Sequence, residues 1–194
     1  DLVVVIWQDG LVANTAKYVN ELAIIAVNPD PDQYDGVLLP YNPQSVNKAV
    51  DELINDKYQI RRITMAEAKL HDGQRLLAFN DFYIGAVTHV SSRYQISFNG
   101  KSENQSSSGI IISTGAGSTG WLSSIFNMAF NVHKQSHKAD KNVRAKLNWE
   151  DEKLIFVVRE PFLSKVTGID IGFGTITKSK NLKIESKMPS NGVI

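Results

Sequence analysis

Two short apolar runs flank an amphipathic stretch at the start of the chain. Leu2 to Ile6 is continuously apolar, Trp7-Gln-Asp-Gly10 breaks it, and Ala23 to Val27 is a second run. Runs of this length suit parallel strands covered on both faces. Between them Leu11, Val12, Thr15, Ala16, Val19 and Leu22 recur at three- and four-residue spacing, which predicts a helix over 11–22. The composition is that of a βαβ crossover. Asn28-Pro-Asp-Pro-Asp-Gln-Tyr-Asp-Gly36 reads as a loop from its proline, aspartate and glycine content, and Val46 to Ile54 reads as a helix.

Beyond Tyr58 the pattern becomes one of short strands: Gln59–Met65, Arg75–Phe79, Arg93–Phe98, Gly109–Ser113, Leu154–Arg159, Ile169–Ile176 and Leu182–Glu185. His71-Asp-Gly73 and Asn99-Gly100 suit the turns between them. One helix interrupts the series, with Trp121, Ile125, Phe126, Met128, Ala129 and Val132 as its apolar face. The expected architecture is therefore α/β plus all-β. An incomplete Rossmann-like layer spans residues 1–57, and a β-sandwich-type domain spans 58–194.

Composition narrows the function mainly by exclusion. Lys and Arg number 21 against 20 acidic residues, a net charge of +1, so no global field attracts nucleic acid or an anionic membrane. Phosphate recognition would have to be local. The chain has no cysteine, which removes thiolate metal sites and cysteine nucleophiles, and no apolar run long enough to span a bilayer. The chain begins inside a strand-like run without a methionine, so we expect a piece that lacks its N-terminus, with the cytoplasm as the expected compartment.

The segment richest in chemistry is Gly109-Ile-Ile-Ile-Ser-Thr-Gly-Ala-Gly-Ser-Thr-Gly120, which leads from an apolar strand through a glycine- and hydroxyl-rich turn to the helix at Trp121. Such a turn favours phosphate through close backbone approach and free N–H groups, and it equally suits a tight ligand-free connection. It is not a Walker loop, because Gly117 stands where lysine should precede Ser118. Gly115-Ala-Gly-Ser-Thr-Gly120 has the letters of the dinucleotide fingerprint. The distal acid would be Asp140, which sits in a polar stretch with no strand before it, so a dehydrogenase is not expected. His133 and His137 lack the glutamate of a zinc motif and have lysines nearby, so we expect a solvated helix end and no metal site. Arg159-Glu160 reads as an ion pair or turn at a strand end.

Several segments, in order, resemble the NAD kinase family. Trp7-Gln-Asp-Gly10 resembles its Gly-Gly-Asp-Gly loop, Ala26-Val-Asn28 its Gly-x-Asn, Asn80-Asp81 its Asn-Glu pair, and Ser113-Thr-Gly-Ala-Gly-Ser-Thr119 its Ser-Thr-Pro-x-Gly-Ser-Thr segment. Ser107-Ser-Gly109 and Val158-Arg-Glu-Pro161 resemble the divergent branch that includes the mitochondrial enzyme. The resemblance implies phosphorylation of the adenosine ribose 2′-hydroxyl of NAD, with ATP or another donor, Mg²⁺, and a homodimer or tetramer. It also implies that an initial strand and helix and a C-terminal segment are absent.

Under that resemblance Asp9 would be the base or hydroxyl-orienting group, on a phosphate loop with Gly10. Asn80, Asp81, Gly115, Gly117, Ser118, Thr119 and Asn28 would contact the dinucleotide, with Trp121 as a further contact. The plainer readings make Asp9 a helix N-cap, Asn80-Asp81 a turn or strand-end pair and Trp121 a core aromatic. Three departures stand out. Trp7 and Gln8 replace both loop glycines, Gly115 replaces proline, and Ser108 stands where the common pattern has aspartate. A non-catalytic dinucleotide-binding protein, or a kinase of a sugar or lipid hydroxyl, is the alternative.

Overall fold

The computed structural model describes residues 1–136 and 147–190. The chain divides into two compact units, Asp1–Arg62 and Ile63–Ile194, five residues later than the change of pattern suggested.

In the first unit β1 (Leu2–Ile6) pairs in parallel with β2 (Ala23–Val27), and α1 (Asp9–Ala16) connects them. Val5, Val12, Ala26 and Leu39 form one buried cluster, while Ile25, Val27 and Ala49 of α2 (Val46–Ile54) form another. Both sheet faces are therefore covered, as the continuous apolar strands require. Helix α1 stops at Ala16, short of Leu22. Lys17 and Tyr18 donate to carbonyls only three residues back, and Asn20 takes a left-handed φ of 53°, which ends helical geometry.

The second unit is built from antiparallel strands. One sheet has the order β10 (Phe173–Ile176), β9 (Leu154–Val158), β8 (Ile110–Ser113), β5 (Asp81–Ile84); another has β11 (Leu182–Ser186), β6 (Ser92–Phe98), β7 (Lys101–Ser107). Tyr94 and Ile96 from the second meet Ile110, Ile112, Phe156 and Val158 from the first in one buried core. Phe98 and Phe156 pack edge to face across it, with ring centroids 4.9 Å apart. This is the sandwich expected, joined by a separate hairpin of β3 (Ala66–Lys69) and β4 (Arg75–Ala78). The expected strand 59–65 is not formed. Ile60 and Ile63 are three apart rather than two, so the segment has no consistent apolar face.

Strand β7 was hidden by its composition. Asn99 and Gly100, with φ of 51° and 78°, make the two-residue turn that pairs it with β6. Its inward residues are the buried Gln105 and Ser107. The Tyr94 hydroxyl donates to Gln105 Oε1 at 3.1 Å and lies 2.7 Å from Ser107 Oγ, and Gln105 Nε2 donates to the Ile171 carbonyl at 3.2 Å. Burial pushes the Tyr94 phenol up to about 12, so its hydroxyl stays protonated as a donor in this network. The Glu103 carboxylate accepts the Asp170 and Ile171 amides, which bends the chain before β10 and explains why that strand starts only at Phe173.

Helix α3 (Trp121–Ser136) covers the other face of the four-stranded sheet through Leu122 and Phe126, packed with Ile155 and Val157. Its exposed positions include Trp121, Met128, Ala129 and Val132, so the true apolar face is narrower than the spacing suggested. Among the described residues no helix is long and apolar enough to cross a membrane.

Candidate functional site

The residues singled out in the sequence fall into two groups, one on each unit. In the first unit Asp9 and Gly10 follow β1 and open α1. The N-cap position belongs to Gln8, which is extended and makes no side-chain capping bond. The N-cap reading of Asp9 is therefore incorrect. Its carboxylate sits in the first helical turn, where the dipole favours negative charge. It accepts the Val37 amide at 3.1 Å through Oδ2 and the Leu38 amide at 2.8 Å through Oδ1. A cavity of about 390 Å³ opens here, with Gln8, Asp9, Gly10, Tyr34, Asp35 and Gly36 among its walls. Trp7 does not line it; its indole is 56% exposed at the end of β1. Asn28 is buried beneath the same loop, bonded to Tyr34 and Asp30.

In the second unit the glycine-rich turn is clamped onto Asn80 and Asp81. Buried Thr114 makes the clamp: its amide donates to the Asn80 carbonyl at 2.9 Å, its hydroxyl to the Phe79 carbonyl at 2.6 Å, and that hydroxyl accepts the Gly117 amide at 3.1 Å. Residues 117–119 form a single 3₁₀ turn before α3. Ser118 Oγ donates to the Gly115 carbonyl at 2.7 Å. A Cβ at 117 would overlap the Asn80 carbonyl and lie 2.8 Å from Asp81 Oδ1, and one at 115 would overlap the Asn148 carbonyl. Both glycines are thus required by contact with the protein itself. Asn80 and Thr119 are exposed, and Ser118 is half-buried.

Asp81 is the electrostatic anomaly of this group. It pairs across the sheet with Ser113, and its buried Oδ1 has no hydrogen-bond partner. Desolvation by burial pushes its carboxyl above the usual range. The Ser113 hydroxyl draws it back only in part, being directed to the Thr114 carbonyl at 3.2 Å. Unsatisfied buried groups are uncommon enough in folded proteins to mark a site.

These two groups sit on an architecture that occurs in solved structures. Yeast NADH kinase complexed with NADH matches 96% of this chain and 50% of its own, with a TM-score of 0.68 and 14% sequence identity. An NAD kinase from Archaeoglobus fulgidus in complex with ATP matches 95% of this chain and 64% of its own, with a TM-score of 0.62 and 15% identity. The fold is that of the NAD kinases. No protein-family model matches this sequence, and no curated protein matches it by sequence. The chain spans half to about two thirds of these NAD kinase-fold proteins.

Sequence reasoning missed Tyr83 and the surroundings of Trp121. Instead of joining the core, the Trp121 ring stacks on Tyr83 at 5.4 Å and 25°, and the Arg159 guanidinium lies 5.4 Å from its centroid. Arg159 also stands 3.9 Å from the Glu160 carboxylate, the expected ion pair. Tyr83 donates its hydroxyl to the Ser108 carbonyl at 3.0 Å, and its ring fills the space beside Gly109, whose φ is 105°. Gly85 and Gly109, where a Cβ would collide with the Tyr83 ring, are the trace of this packing in the sequence. Asp140 and His137 lie outside the described residues.

Proposed function

We propose that this chain is an NAD kinase-like phosphotransferase, transferring a phosphoryl group from ATP or another donor to the adenosine ribose 2′-hydroxyl of NAD or NADH. The observation that carries this reading most is the Thr114 clamp. On an NAD kinase fold, it joins the Asn80-Asp81 pair to the Gly115–Thr119 turn, two segments more than 30 positions apart that resemble the family's acceptor side. Asn80 would read a ribose or adenine edge through its exposed carboxamide, Asp81 would accept from a hydroxyl or amino group, Thr119 would donate to a phosphate oxygen, and Ser118 would do so on exchanging its bond to the Gly115 carbonyl.

Asp9 and Gly10 would serve the phosphoryl transfer. A carboxylate suits the task because it can orient, or take a proton from, a weakly acidic hydroxyl as the new O–P bond forms. Among the described residues no cluster of three acidic or histidine side chains is positioned to hold a metal. Magnesium, implied by the resemblance, would be carried on the nucleotide's phosphates, where it neutralises their charge. The NADH complex of the yeast neighbour and the ATP complex of the archaeal one support both ligands as candidates. Ser107-Ser-Gly109 and Val158-Arg-Glu-Pro161 support the branch that includes the mitochondrial enzyme, and a homodimer or tetramer is part of the same reading.

A second reading, a dinucleotide-binding protein without catalysis, is favoured by Trp7 and Gln8, which take the place of the loop glycines. Calorimetry with NAD, NADH and NADP, followed by product analysis with ATP and magnesium, separates the two. Binding with formation of NADP or NADPH supports the kinase, and binding alone supports the second reading. No heat with any dinucleotide at millimolar concentration removes both.

A further inference from the structure

One buried carboxamide organises the loop that faces Asp9. Asn28 directly follows β2 and is 5% exposed. Its Nδ2 donates to the Tyr34 carbonyl at 2.8 Å, its Oδ1 accepts the Asp30 amide at 3.1 Å, and its own amide donates to the Tyr41 carbonyl at 2.7 Å. Gly36 closes against this side chain. Its φ is 59°, and a Cβ there would stand 2.5 Å from Asn28 Nδ2 and 3.2 Å from Leu39 Cβ. The next two residues, Val37 and Leu38, are those whose amides hold the two oxygens of Asp9. A continuous series of contacts thus runs inside one unit from Asn28, through Tyr34 and Gly36, to the Asp9 carboxylate.

We infer that Asn28 is a positioning residue for Asp9 and not a ligand contact. Its carboxamide is turned into the loop, and it fixes the turn at Gly36 that presents the Val37 and Leu38 amides. Those amides hold both oxygens of Asp9 and so fix the rotation of its carboxylate at the cavity wall. A carboxylate has about four acceptor positions, so two remain for a ligand hydroxyl while two are used as the anchor. The direction of those remaining positions depends on the loop, and catalytic groups tolerate little misplacement. The catalytic consequence rests on the phosphotransferase reading, whereas the latch itself belongs to the fold of the first unit.

The test is made on the full chain by following the Val37 and Leu38 amide resonances through the acid range, with Asp9→Asn identifying which part of their movement reports Asp9. Asp30, Asp32 and Asp35 are further carboxylates on the same loop, which is why this control is needed. Two variants disturb the latch from opposite sides: Asn28→Ser shortens the side chain, and Gly36→Ala crowds it. In each, the Asp9-dependent movement of both amides should fall by at least half while the amide pattern of residues 63–136 stays native. Turnover should drop about 10- to 100-fold, the scale of an ångström misplacement, with NAD affinity changed less than twofold. If Asn28→Ser does not fold, Gly36→Ala alone decides. The inference is overturned if the Asp9-dependent movement persists at full amplitude, or if Asn28→Ser weakens NAD binding tenfold while turnover is kept. Absence of phosphotransfer in the unmodified protein would sink the kinase reading and leave the amide measurement to judge the latch.

Discussion

Replacing Gly117 with alanine puts a methyl group where the glycine-rich turn packs most tightly. The added Cβ would overlap the Asn80 carbonyl and come within 2.8 Å of Asp81 Oδ1. The nearer obstacle cannot swing aside, because the carbonyl is backbone and is held by the Thr114 amide at 2.9 Å. Gly117 is itself buried and does not have a positive φ, so steric overlap and not backbone strain sets the effect. Overpacking of this kind costs about 1–3 kcal/mol. Urea unfolding of the full chain, followed by tryptophan emission, should show a lower midpoint at an unchanged slope. Gly10→Ala is the control. Nothing lies within 4 Å of a Cβ there, and the position is helical, so alanine should stabilise by about 0.5–1 kcal/mol. If Gly117→Ala loses less than about 0.5 kcal/mol, the turn is not clamped against Asn80 and Asp81 as described.

Asp81→Asn should stabilise the protein at neutral pH. Because burial raises the folded carboxyl above its unfolded value, the charged form opposes folding. The stability this group contributes is fully present below the unfolded value and lost as pH rises through the folded one. The variant's advantage should therefore vanish toward pH 3 and grow toward pH 7; an equal difference at both pH values contradicts the assignment. Trp7→Gly combined with Gln8→Gly addresses the donor side. A bulky indole in place of a glycine hinders the close backbone approach of a triphosphate, so ATP binding should improve in the double variant. Slower turnover of NAD in the double variant than in the unmodified chain would make the exposed indole part of the donor site, as a stacking surface, and refute exclusion.

How much of this was legible beforehand depends on the range of the interactions. The βαβ unit, the Asn99-Gly100 hairpin and the strands around Ile110 and Phe156 announce themselves through local apolar patterning and turn chemistry. Strand β7 did not, because its inward positions are filled by Gln105 and Ser107, and only their bonds to Tyr94 make burial tolerable. Strand β5 is four residues long and starts at Asp81, in a pair read as a site or as a turn or strand end, and only its register with β8 decides for the strand. The end of α1 at Ala16 depends on a left-handed Asn20 that apolar spacing cannot register. For the candidate site, the sequence supplied residue types and order. The contact of Gly117 with Asn80 and Asp81 follows from the pairing of β5 with β8, a long-range register. The engagement of Asp9 by Val37 and Leu38 likewise joins positions 28 and 29 residues apart.

Asp9→Asn decides whether Asp9 serves phosphoryl transfer to a dinucleotide hydroxyl. Asparagine keeps the size and one acceptor oxygen but cannot take a proton. Steady-state rates of NADP or NADPH formation from NAD or NADH, with ATP and magnesium, should fall about 10²–10⁴-fold, while calorimetric dinucleotide affinity stays within about twofold. A variant that is less stable by about 1–3 kcal/mol, as expected for losing a charged partner of two backbone amides, yet turns over at the rate of the unmodified protein would contradict the account, leaving Asp9 a loop anchor alone.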